Sequence, residues 1–297
     1  MEKQQLAKNL PNLMIPGAQR SGTSYMHKLL SQHPDIYGAT VKEVHYFDKY
    51  TDKGRAWYES HYAKAGDTAY RLDSTPEYMI KPGIANQIKD LVGEDVKFIF
   101  MLRNPVDRLY STYTCFAAGE KSPSFDRYTK KMSETGEWVS AINSDNFSVR
   151  RGLYHNLISK FTQIFPAENI YYVIFEEFIK NPSKIIDDIF NFLGLEGCDN
   201  IDFNKHTNQS LITKRHSIFK LDAKFMHFYR DISRKITPSQ KSFLKKIRRR
   251  VLGLKAAEIP PINPDTAAEL MAFYRDDILK LEKLTDRSLS VWLDKYK

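Results

Sequence analysis

Apolar residues fall into four short continuous runs, at 12–16, 69–73, 96–102 and 170–175, with stretches of helical period between them. The third and fourth, VKFIFML and IYYVIF, show no polar alternation, as expected of strands covered on both faces of a parallel sheet. Helical spacing predicts helices over about 22–33, 80–92, 105–118, 153–165 and 182–193. The last of these opens after Asn181-Pro182 and stops at Gly194. A later helix over about 264–284 precedes a tryptophan-containing turn. Strands alternating with helices imply an α/β fold: a doubly wound, mostly parallel sheet with helices on both faces and ligand at the carboxyl ends of the strands. The polar, irregular linkers 118–150 and 195–215 read as lids or acceptor-binding walls. No composition shift marks a boundary. Residues 1–297 therefore read as a single domain, with a motif-bearing core over about 11–215 and a basic, mostly helical C-terminal region over about 216–297.

Composition narrows the class. The 297 residues, 42% hydrophobic and 13% aromatic, suffice for one large core. The opening MEKQQLAKNLPNL lacks the apolar stretch of a signal sequence, and no run reaches the roughly 18 apolar residues of a membrane span, so a soluble, cytoplasmic protein is expected. Cys115 and Cys198 are too few for a disulfide framework or a cysteine metal site. The net charge of +9 is regional: residues 214–255 hold 14 Lys/Arg against 2 Asp, leaving the rest of the chain slightly acidic. Within that region 241–255 (KSFLKKIRRRVLGLK) reads either as a surface helix with a solvated basic side or as a peripheral docking face for an acidic polymer or membrane.

Three segments carry chemistry. Asn12–Leu30 reads as strand, glycine-bracketed loop and helix start, a P-loop-like element in which Gly17 and Gly22 have GxxxxG spacing. Thr23 and Ser24 follow Gly22 where a Walker loop needs Lys then Ser or Thr, and the cation has moved inside the loop to Arg20. The anion cradle is kept, and the wiring for ATP with magnesium is lost. The strand in KFIFMLRNPVDRLYSTY (97–113) ends in Arg103, a cation that suits an anion and not a metal; Ser111 follows two helical turns on. Taken alone, Arg103 reads first as a structural residue at a strand end, and the anion-binding reading gains weight only together with the Gly17 loop. KEVHYFDKY (42–50) sets Glu43, His45 and Asp48 together, with Glu43 a candidate general base and His45 a second base or an orienting donor. A metal reading fails there for want of a fourth ligand. The aromatic residues Tyr46, Trp57, Tyr58 and Tyr62 read as core or as a sugar-binding wall.

Together these segments resemble the 3′-phosphoadenosine 5′-phosphosulfate (PAPS)-dependent sulfotransferases, closest to the glycan branch of heparan sulfate type, with an RSGTS loop like that of tyrosylprotein sulfotransferases. The resemblance extends through KGRAWYESHY (53–62), DSTPEY (73–78, often EKTPSY), RGLYHNLISKF around Tyr154, DFNKHTN (202–208) and the region ending near Trp292. It implies that Arg20, Ser21, Gly22, Thr23 and Ser24 hold the 5′-phosphosulfate, and that Arg103 and Ser111 hold the 3′-phosphate. Tyr154 joins the donor site, Lys214 and Arg215 close over it, and Glu43, His45 and Arg20 are catalytic. Two departures stand out: Arg20 replaces a loop lysine, and Ser74 replaces the lysine of the EKTPSY-type segment. The implied activity moves a sulfuryl group from PAPS to a hydroxyl or amine of a glycan, glycolipid or small molecule. It releases 3′-phosphoadenosine 5′-phosphate (PAP) and requires no metal or nucleic-acid partner. The alternatives are a small natural-product acceptor, a protein tyrosine, a kinase-like nucleotide enzyme and a non-catalytic anion-binding protein.

Overall fold

The computed structural model describes residues 9–116, 125, 149–204, 211–212, 255–256 and 261–296. Two compact units emerge, one of Met1–Arg108, Ser148–Thr207 and Ala268–Lys297, the other of Leu109–Phe147 and Asn208–Ala267. In the first, five strands form a wholly parallel sheet in the order β2-β3-β1-β4-β5. They are β1 (Leu13–Gly17), β2 (Ile36–Gly38), β3 (Tyr70–Asp73), β4 (Lys97–Leu102) and β5 (Ile170–Ile174). The helices are α1 (Thr23–Leu30), α2 (Tyr46–Lys49), α3 (Gly54–Ser60), α4 (Ile84–Val92), α5 (Pro105–Phe116), α6 (Tyr154–Thr162), α7 (Phe175–Lys180), α8 (Pro182–Leu193), α9 (Pro264–Thr285) and α10 (Ser290–Leu293).

Strand β4 explains the two-sided layering. Its Ile99 and Met101 point into a cluster with Met26 and Leu29 of α1 and Ile186 and Ile189 of α8. Its Phe98 and Phe100 point the other way, their rings 5.4 and 5.2 Å from Phe161 of α6. Continuous apolar sequence is what burial on both faces demands. The start of α6 is tied to α9, since the Asp277 carboxylate accepts the amides of His155 (2.9 Å) and Asn156 (3.2 Å). Helix α8 has the ends that its sequence predicts: the Asn181 side chain accepts the Lys184 amide, Pro182 opens it, and Gly194 closes it in the left-handed region. In the second unit the rings of Tyr110 and Tyr113 pack on Phe125, and Leu211–Ile212 pairs antiparallel with Lys255–Ala256.

Candidate active site

Strand β1 ends at Gly17 and the chain turns through Arg20 (φ 71°) and Gly22 (φ 87°) into α1. Gly22 serves two constraints. Its φ lies where a Cβ is strained, and a Cβ there would sit 3.0 Å from the Phe175 ring. Among the described residues no side chain caps the α1 amides, and no acidic residue occupies the first turn of α1. Uncapped amides, a helix dipole and the Arg20 cation together suit an anion. Ser21 is buried beside the Tyr154 hydroxyl.

Arg103 follows the carboxyl end of β4. Its guanidinium donates to the Arg20 carbonyl (3.2 Å) and lies over the Phe175 ring, 4.9 Å from the centroid. Tyr154 is fully buried and its hydroxyl donates to the Arg103 carbonyl (2.8 Å), so it holds the backbone of the strand end. Sequence reasoning grouped Tyr154 with the donor-binding residues without this link. Ser111 lies on α5, in the stretch belonging to the second compact unit. Lys214, Arg215 and the basic stretch 241–255 lie outside the described residues.

The Glu43 segment is a charged cluster on unusual backbone. Glu43 (φ 63°) and His45 (φ 58°) both adopt the left-handed region that non-glycine residues rarely take. Lys42 Nζ lies 2.6 Å from Glu43 Oε1, His45 Nε2 lies 3.6 Å from Glu43 Oε2, and His45 Nδ1 lies 2.9 Å from Asp48 Oδ2. Burial would raise the Glu43 pKa, but the His45 hydrogen bond and the Lys42 charge outweigh it and bring the carboxyl to about 2. For His45 burial works downward, and the Asp48 and Glu43 carboxylates overcome it, lifting the imidazole to about 9. At neutral pH the cluster is therefore an imidazolium between two carboxylates. Among the described residues no group of side chains could hold a metal ion.

Residues 73–79 join this cluster to the cradle, a connection that sequence reasoning missed. The Met79 amide donates to the Pro16 carbonyl (2.9 Å). Arg151 forms a double hydrogen bond to Glu77 (2.7 and 3.0 Å) and reaches Gln19 (3.4 Å). Ser74 Oγ meets His27 Nδ1 at 2.8 Å; burial, then the charges of Lys42 and Lys28, depress that imidazole to about 4, so it is neutral. Of the aromatic residues, Tyr58 and Tyr62 are fully buried and Tyr46 nearly so; Tyr46 and Tyr58 stack at 4.3 Å, and their place is the core. Trp57 alone of the four stays partly exposed.

The sequence pattern of the family described as "Sulfotransferase domain" matches residues 10–246. Human heparan sulfate glucosamine 3-O-sulfotransferase 3B1 is 27% identical over 281 residues, which is 94% of this chain and 64% of the relative. Mouse heparan sulfate glucosamine 3-O-sulfotransferase 6 is 25% identical over 279 residues, 94% of this chain and 72% of the relative. The chain thus spans just under two thirds of the human relative's length. The crystal structure of a sulfotransferase from Alicyclobacillus acidocaldarius shares the fold, with a TM-score of 0.68, 23% identity, and coverage of 95% of this chain and 98% of that one. No helix among the described residues is long and apolar enough to cross a membrane.

Proposed function

Because the chain belongs to the sulfotransferase family, whose pattern spans residues 10–246, we propose that it moves the sulfuryl group of PAPS to a glycan hydroxyl. The observation that carries this reading is the linked pair of cations at the strand ends: Arg20 within an uncapped glycine loop, and Arg103 bonded to that loop's backbone. PAPS supplies an activated SO3 group whose transfer builds negative charge on the departing 5′-phosphate. Arg20 and the amides at the α1 N-terminus stand where such charge is stabilised. Arg20 acts as a fixed cation, since a guanidinium does not give up its proton. Arg103 takes the 3′-phosphate.

Glu43 takes the acceptor proton. Its low pKa makes it a weak base toward a free alcohol, so the proton moves late, as the acceptor oxygen bonds to sulfur and becomes acidic. The S–O bond to the leaving phosphate breaks with its electron pair on PAP. His45, already an imidazolium, orients Glu43 and balances its charge; this favours the orienting role over that of a second base. Lys42 adds a second cation beside Glu43.

A glycan acceptor is favoured over a small natural product because the two relatives named above, matched along 94% of this chain, bear names that specify heparan sulfate glucosamine. The test is an acceptor screen with isotopically labelled PAPS, scored by mass spectrometry on heparan-type oligosaccharides, small phenols and tyrosine peptides. Label on the sugar is expected. Transfer to phenols or peptides alone would replace the glycan reading.

A further inference from the structure

Asp73 ends β3 and is completely buried; among the described residues it forms no ion pair, yet it collects three hydroxyls. Tyr58 donates to Oδ2 at 2.7 Å, Tyr78 to Oδ2 at 3.1 Å and Thr75 to Oδ1 at 2.7 Å. Two of these hydroxyls, having given their protons to Asp73, present lone pairs to successive backbone amides. The His45 amide donates to Thr75 Oγ1 (3.4 Å) and the Tyr46 amide to the Tyr78 hydroxyl (2.9 Å). The amides so held lie two and three residues after Glu43, in the turn whose left-handed residues at 43 and 45 need outside support.

We infer that Asp73 is a positioning residue, which polarises Thr75 and Tyr78 so that they clamp the His45–Tyr46 backbone and hold Glu43 in its working orientation. The inference rests on Glu43 being the base. A buried carboxylate is favourable only when hydrogen-bonded on both oxygens, and the three hydroxyls supply those bonds. An acceptor-only group at 73 also sets the direction of every hydroxyl in the network. An amide there would present an N–H to one of them and reverse it. Tyr58, the third donor, bonds no backbone amide in this set and serves to satisfy Oδ2.

The variants are Thr75→Val and Tyr78→Phe, which keep shape and lose the hydroxyl, Thr75→Ser, which keeps it, and Asp73→Asn. Three quantities are measured: amide hydrogen exchange at His45 and Tyr46, PAP affinity by calorimetry, and turnover with PAPS on a heparan-type oligosaccharide. Thr75→Val should speed exchange at His45, Tyr78→Phe at Tyr46, and Asp73→Asn at both. Turnover should fall roughly tenfold in each, the equivalent of one lost hydrogen bond, with PAP affinity held and with Thr75→Ser close to the parent. Unchanged exchange at both amides in Thr75→Val and Tyr78→Phe would overturn the inference, even if Asp73→Asn fails to fold. A parallel fall of PAP affinity and turnover would also overturn it, by making the knot a general fold support. An active Glu43→Gln enzyme would instead undo the assignment of the base, and the exchange data would still decide whether Asp73 holds the turn.

Discussion

The charged cluster at His45 makes the stability of this protein depend on pH in a defined window. The perturbation is His45→Gln, which removes the titrating group and keeps a hydrogen-bonding side chain of similar reach. In the folded protein the imidazole titrates at about 9 against an ordinary 6.5, with burial working against the shift and the Asp48 and Glu43 carboxylates producing it. A folded-state pKa raised above the unfolded one means that the fold binds a proton that the unfolded chain releases. The stabilisation is therefore complete below pH 6.5 and is lost as pH rises through 9. At 1.36 kcal/mol per unit, a shift of that size corresponds to about 3 kcal/mol. The side chain is only 16% exposed, so solvent screening removes little of it. Lys49 Nζ, 3.3 Å from Nε2, works against the pair and is already included in the balance. Urea denaturation of both proteins from pH 6 to 10 is the assay, and the difference between the two curves isolates His45 from the lysines and tyrosines that titrate above it. The parent should exceed the variant by about 3 kcal/mol at pH 6, and the gap should close toward pH 10. A gap that stays constant across that range would refute the imidazolium assignment and return His45 to the role of a neutral base.

Three further outcomes follow from the cradle. PAP at about 100 times its dissociation constant should stabilise the fold by roughly 2.7 kcal/mol without magnesium, read as a thermal shift; a larger shift with ATP and magnesium would favour the kinase alternative. Arg103→Ala should cost PAP about 1.5–3 kcal/mol in calorimetry and adenosine 5′-phosphosulfate, which lacks the 3′-phosphate, much less. Equal losses would mean that Arg103 acts through its hold on the Arg20 carbonyl. Gly22→Ala should lower stability by about 1–2 kcal/mol from the left-handed φ alone and weaken PAP as the Phe175 ring is displaced; unaltered melting and affinity would show that the turn tolerates a side chain.

The sheet was legible where burial leaves a continuous signature. Strands β4 and β5 stand out in the sequence because both faces of each are covered, and α8 because its caps are explicit residues. Strand β2 escaped notice, since three residues are too short for any period to register. Helix α7 was missed because Phe175 continues the apolar run of β5 without a break. The cradle was readable because glycine spacing and a displaced cation are local features. The Asp73 network was not: DSTPEY is an ordinary polar stretch until the fold brings Tyr58 and the His45 amide to it. Tyr154 likewise acquires its role only through a carbonyl 51 residues away. The choice between core and sugar-binding wall stayed open in the sequence because spacing within so short a helix as α3 does not distinguish its buried side; Tyr58 and Tyr62 face inward.

Glu43, a carboxylate separate from the donor cradle, is assigned the acceptor proton. PAP affinity and turnover determined side by side for Glu43→Gln, with PAPS and the acceptor that the screen identifies, decide that assignment. PAP affinity indistinguishable from the parent and turnover reduced by on the order of 10²–10⁴ are expected. Turnover at the parental level on that acceptor, or a loss of PAP affinity matching the loss of turnover, would contradict it.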